Sequence, residues 1–68
     1  MRTAAKIRKV FKGTRFEGHH IFKGWHTGRQ QEGWIARPFQ GQEIFLGENG
    51  RDAVSYAQTL VDYEKEQS

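Results

Sequence analysis

The sequence has no cysteine, a single proline and no apolar run approaching the roughly 20 residues that a membrane-spanning helix needs. Without cysteine there are no disulfides and no thiolate metal sites, so 68 residues must hold their fold by a core alone, near the lower size limit for doing so. The basic start, Met1 to Lys12, lacks the apolar stretch of a secretory signal, and the expectation is an uncleaved cytoplasmic protein with no membrane partner. Acids are scarce in one half only. Met1 to Arg29 holds eight lysines and arginines against Glu17 alone, a net +7, whereas Gln30 to Ser68 holds three against seven acids, a net −4. The overall +3 thus conceals a basic first half and a mildly acidic second, the pattern expected where a phosphate-bearing partner meets the first half. A basic tail kept soluble by its charge is the other reading of the same pattern.

Catalytic and metal-binding constellations are missing as well. His19 and His20 are adjacent in a strand-like stretch and point to opposite faces; only His20 and His26 share a side, with no carboxylate at ligand spacing. No serine lies near a histidine and acid set, no phosphate-binding glycine loop occurs, and the carboxylates cluster on one helix face. The expectation is a protein that is not an enzyme and carries neither a cofactor nor a metal. As a membrane anchor, Lys6 to Lys12 offers only Ile7, Val10 and Phe11.

What is present is one unambiguous helix. Ala53, Ala57, Leu60 and Val61 recur at i, i+4, i+7 and i+8 within Asp52 to Glu66, with Tyr56 and Tyr63 at the margins. Asn49 stands as N-cap with Asp52 three residues on, near the positive helix end, which extends the helix to residues 50–66. Before it the chain is short-segmented, aromatic and punctuated by glycine, as strands of a small sheet are. His19 to His26 alternates, with Ile21, Lys23 and Trp25 opposite His20, Phe22 and His26. His26 to Gly33 reads as a reversing loop, Gly33 to Phe39 as the second strand with regular pairing ending at Arg37 before Pro38, Gln40 to Gln42 as a tight hairpin, and Glu43 to Gly47 as the third strand. Residues 1–18 read either as a basic flexible arm or as an extra edge strand.

The fold class that follows is α+β in a single domain, 1–68: an antiparallel sheet of three strands over 19–47, four if the first segment joins it, with one C-terminal helix on one face. Alternation assigns Ile21, Trp25, Trp34, Ala36, Ile44 and Leu46 to the helix side, where they meet Ala53, Ala57, Leu60 and Val61. The opposite face shows His20, Phe22, His26, Ile35, Arg37, Phe39 and Phe45. With no helix left to cover it, such a mixture of aromatic, imidazole and guanidinium groups is a candidate binding surface.

The order of these features resembles the AP2 domain, a module of three strands and one helix known from plant ethylene-response factors and phage-type homing endonucleases. Phe22-Lys23-Gly24-Trp25 is similar to that family's opening Tyr-Arg-Gly element, Trp34-Ile35-Ala36 follows at nearly the family's separation, and Ile44-Phe45-Leu46-Gly47 resembles its Val-Trp-Leu-Gly strand. Ala53 and Val54 fit the alanine-rich start of its helix. The likeness covers about Phe22 to Val61 and implies DNA contact by the exposed sheet face at Lys23, His26, Arg37 and Phe45. Phe39, Glu43 and Arg37 stand where the family has further arginines and a glutamate, and the loop into the helix is about two residues shorter, which favours non-specific or differently specific binding. Phage integrase arm-binding domains share the small architecture, and double-stranded-RNA-binding domains also end in a hairpin and helix, so RNA stays open beside duplex DNA. Arg8, Lys9, Lys12, Arg15 and Arg29 would neutralise phosphates, and Phe22, Phe39 and Phe45 are the stacking or interface candidates. The alternative from the same residues is a protein-interaction module, a small regulator that binds a partner or forms a homodimer through the aromatic face.

Overall fold

The computed structural model describes residues 2–67. It is an antiparallel three-stranded sheet with two helices: α1 (Thr3–Phe11), β1 (His20–His26), β2 (Gln31–Arg37), β3 (Ile44–Gly47) and α2 (Gly50–Gln67), with strand order β1-β2-β3. The α+β class, the three strands and the C-terminal helix on one sheet face are as the alternation and periodicity predict. The first segment is neither an arm nor a strand. Ala4, Ile7 and Phe11 are spaced by three and four, so one helical stripe carries all three, and Ile7 and Phe11 are buried. Arg8 and Lys9 fall in the last turn of α1, where positive charge is favourable against the helix dipole.

Between α1 and β1 the chain is pinned by its own polar groups. Thr14 donates its hydroxyl to the Phe11 carbonyl (2.6 Å) and accepts from the Phe16 amide (3.1 Å), and the Gly13 amide donates to the Glu17 carboxylate (3.2 Å). This turn points Phe16 inward, where its ring lies 5.1 Å from that of Phe11. Phe16 joins Ile7, Phe11, Ile21, Ala36, Leu46, Ala53, Ala57 and Val61 in the core, which therefore draws three of its largest side chains from the segment before β1.

The helix α2 begins as expected. The Asn49 side chain accepts from the Asp52 amide (2.9 Å) and donates to the Asp52 carboxylate (3.1 Å), a reciprocal cap on the first turn. Its buried stripe is Ala53, Ala57 and Val61; Leu60, expected in the core, is only half-buried beside it. The small alanines let α1 pack closely against α2, so both helices share one side of the sheet.

Three strand details correct the sequence reading. The loop between β1 and β2 is Thr27 to Gln30 rather than the whole of His26 to Gly33, with Gln30 taking the left-handed conformation (φ 51°) and the pairs His26↔Gln31 and Trp25↔Glu32 extending the ladder. The link from β2 to β3 is a six-residue connection, 38–43, rather than a tight hairpin, because Pro38 ends regular pairing. In β3 a bulge at Leu46 sets Ile35 opposite Phe45 but Trp34 opposite Gly47. Trp25, expected in the core, is 61% exposed. Its parity puts it on the helix side, but it sits near the hairpin end of β1, whereas β1 enters the core at Ile21, at its other end.

Candidate nucleic-acid interface

Among the described residues no helix covers the sheet face opposite α1 and α2, yet its apolar groups are not bare. Ile35, at the centre of this face, is fully buried between its cross-strand neighbours Phe22 and Phe45. Both phenylalanines lean along the sheet onto glycines. A Cβ at Gly24 would meet Phe22 Cε2 at 3.1 Å, and one at Gly33 would meet Phe45 Cζ at 2.6 Å and collide with the Gly47 carbonyl oxygen. Rings lying over glycines in this way bury one side against backbone and keep the other for neighbours.

Those neighbours are cations and imidazoles. The Arg37 guanidinium carbon stands 4.7 Å from the Phe22 ring centroid, and the Arg29 guanidinium 4.9 Å from that of Phe45, both within cation–π range. His20 stacks on Phe22 at 5.1 Å with its plane tilted by 22°, and His26 meets Phe45 edge-on at 5.7 Å. Arg37 is fixed further by donating from Nε to the Glu43 carboxylate (2.7 Å). His26 Nδ1 accepts from the Arg29 amide (3.0 Å), which places the neutral ring's proton on Nε2, 3.4 Å from the Glu43 carbonyl oxygen. The face is thus two ring-and-guanidinium units on the outer strands with Ile35 between them. Neither Phe22 nor Phe45 is the bare platform that alternation alone suggests; both are half-buried.

A second cationic surface lies on the other side of β1. Arg8, Lys9 and Lys12 of α1 and its C-cap line a groove of about 570 Å³ against His19, His20 and Ile21, floored by Phe11 and Phe16, with Glu17 as its only acid. Among the described residues, Arg2, Lys6, Arg8, Lys9 and Lys12 form no ion pair with a carboxylate. His20 belongs both to this groove and, through its stack on Phe22, to the open face, so the two surfaces meet at the β1 edge.

The expected site residues therefore separate into groups. His26, Arg29, Arg37, Phe45 and Phe22 come together on the open face, and Arg8, Lys9 and Lys12 come together in the α1–β1 groove. Lys23 leaves the first group: it pairs with Trp34, which packs on the core, so it is on the helix side of the sheet. Arg15 leaves the second, pairing with Glu64 of α2 at 3.8 Å. Phe39 is 99% exposed in the connection after β2, outside the face altogether. His19, given no contact role from the sequence, and His20, placed there on the open face, both line the groove; their adjacency on a strand splits them between two faces, and at an edge strand both faces border the same rim.

No helix among the described residues is long and apolar enough to cross a membrane, and no three histidine, aspartate or glutamate side chains among them are placed to hold a metal. No protein-family model, curated protein or solved structure matches the chain.

Proposed function

We propose that the protein binds nucleic acid, duplex DNA foremost, along a cationic band that runs from α1 over the β1 edge to the open sheet face. The observation that carries this reading is the row Arg2, Lys6, Arg8, Lys9 and Lys12, with no carboxylate partner among the described residues, although α2 beside it carries Asp52, Asp62, Glu64 and Glu66. Like charges gathered on a nine-residue helix and its two caps repel one another, and neutralising a phosphate backbone is a use that offsets that cost. Arg8, Lys9 and Lys12 follow phosphates in this proposal, with Arg29, His26 and Arg37 at the sheet. The resemblance to AP2-type modules supports contact through the open face; Lys23, which it also implies, lies on the helix side of the sheet.

The test is a titration with a random DNA duplex, an RNA duplex and a single strand at two salt concentrations, followed by amide shifts. Shifts at residues 6–12, 19–22 and 29–37 are expected. Shifts confined to Asp62 and Glu66 on α2, or no binding near about 50 mM salt, would rule the reading out. A protein interface is the second reading, favoured by the full exposure of Phe39. Sedimentation showing a tight dimer lost in Phe39→Ser, with no affinity for nucleic acid, would establish it instead.

A further inference from the structure

The open face differs from the α1–β1 groove in a way that bears on what kind of nucleic acid it takes. In the groove, Arg8, Lys9 and Lys12 have no carboxylate partner among the described residues and suit phosphates. On the face, Arg37 already donates its Nε to Glu43 at 2.7 Å, and what it still presents is a planar group held above the Phe22 ring at 4.7 Å. Arg29 is placed likewise over Phe45 at 4.9 Å, its backbone amide bonded to His26 Nδ1. Planar groups fixed over rings are suited to stacking on bases, and a base offers its flat side only when it is out of a duplex stack. Strands lie roughly 4.8 Å apart, so Phe22 on β1 and Phe45 on β3, separated by Ile35 on β2, stand about 10 Å apart. An extended single strand can set one base on each unit.

Resting on the nucleic-acid reading above, we infer that the open face binds unpaired nucleotides, with bases stacked on the Arg29–Phe45 and Arg37–Phe22 units, while the α1–β1 groove holds the adjoining phosphates. The preferred ligand is then a duplex with an adjoining single-stranded stretch. Charge complementarity at the neighbouring groove selects nucleic acid over an uncharged aromatic partner.

Lysine is the discriminating replacement, because Arg29→Lys and Arg37→Lys keep the charge and lose the plane. Binding of a single strand carrying 2-aminopurine is followed by fluorescence, which falls when that base stacks. Quenching by the unmodified protein is expected, with single-strand affinity reduced roughly 5- to 100-fold per lost base stack in the lysine variants, an unchanged salt slope and a smaller loss of affinity for a blunt duplex. Amide spectra establish that the variants fold. Single-strand affinity unchanged in both variants, or binding without quenching, overturns the inference. Blunt-duplex binding with no single-strand binding overturns it while leaving the proposed function standing. Absence of all binding removes the proposed function itself.

Discussion

Gly33 and Phe16 show how single positions decide the two sides of the sheet. At Gly33 any side chain collides with the Gly47 carbonyl and the Phe45 ring, so Gly33→Ala should cost roughly 1 to 3 kcal/mol in urea unfolding and shift the Phe45 ring resonances. Phe16→Ala should cost more, about 3 to 5 kcal/mol, because the ring is buried against Phe11. Trp25→Ala should lie within about 0.5 kcal/mol of zero, since its ring is mostly in water. Alternation places Trp25 in the core and gives Phe16 no position. Alternation tells which face a residue points to, and it placed Ile21, Ala36 and Leu46 correctly; it carries no information on how far the covering helices extend, and so Trp25 was misplaced. Phe16 lies in no periodic run at all. The only signal for it is Thr14, a hydroxyl two residues earlier that can close a local turn, and that signal predicts a turn without saying what the turn points inward.

At the scale of elements, α2 was legible because Ala53, Ala57 and Val61 recur at four-residue spacing over about two turns and Asn49 caps it. Asn49→Ala should cost about 1 kcal/mol by losing the bond to the Asp52 amide, checked by chemical denaturation. The first helix was hidden by its brevity: nine residues give only Ala4, Ile7 and Phe11 on the buried stripe, and the intervening cations read as the lysines of an edge strand. Helical spacing of three and four was present, but so short a run does not separate a strand from a helix. The distinction has a measurable consequence. Ile7 is fully buried, so Ile7→Ala should destabilise by about 2 to 5 kcal/mol, and a chain lacking residues 1–12 should lose cooperative unfolding altogether. An arm would be removed without changing the melting temperature. Leu60→Ala should cost less than Ile7→Ala, because Leu60 borders the α2 stripe rather than forming it. The candidate site divides in the same way. His26, Arg37 and Phe45 share one face because strands alternate, whereas the groove at Arg8, Lys9 and Lys12 exists only because α1 is a helix laid beside β1.

For the molecule as a whole, the charge asymmetry visible in the sequence takes a form that the sequence does not imply. The basic first half and the acidic C-terminal helix are not on opposite sides; α1 packs on α2, and Arg15, in the turn after α1, reaches Glu64 of α2 at 3.8 Å. Electrostatics alone would draw the α1 cations to the same acids, yet Arg8 lines the groove facing β1, and Lys9 and Lys12 border both that groove and the one facing α2, whose lining holds Lys65 and no acid. If these three contact phosphates, each should release condensed counterions on binding, and log K should fall with log salt by about 0.9 per contact on a duplex. The triple variant Arg8→Gln, Lys9→Gln, Lys12→Gln should therefore flatten the salt slope by roughly 2.7 and weaken all duplex sequences alike. Relief of repulsion among neighbouring cations offsets the loss of their favourable interaction with the α1 dipole, so stability should stay within about 1 kcal/mol of the parent. The two surfaces then separate cleanly in one measurement. Arg29→Lys and Arg37→Lys change single-strand affinity at constant slope, whereas the groove variant changes the slope itself. A groove variant with an unaltered slope would mean that these cations serve solubility alone and that phosphates, if bound, are held elsewhere.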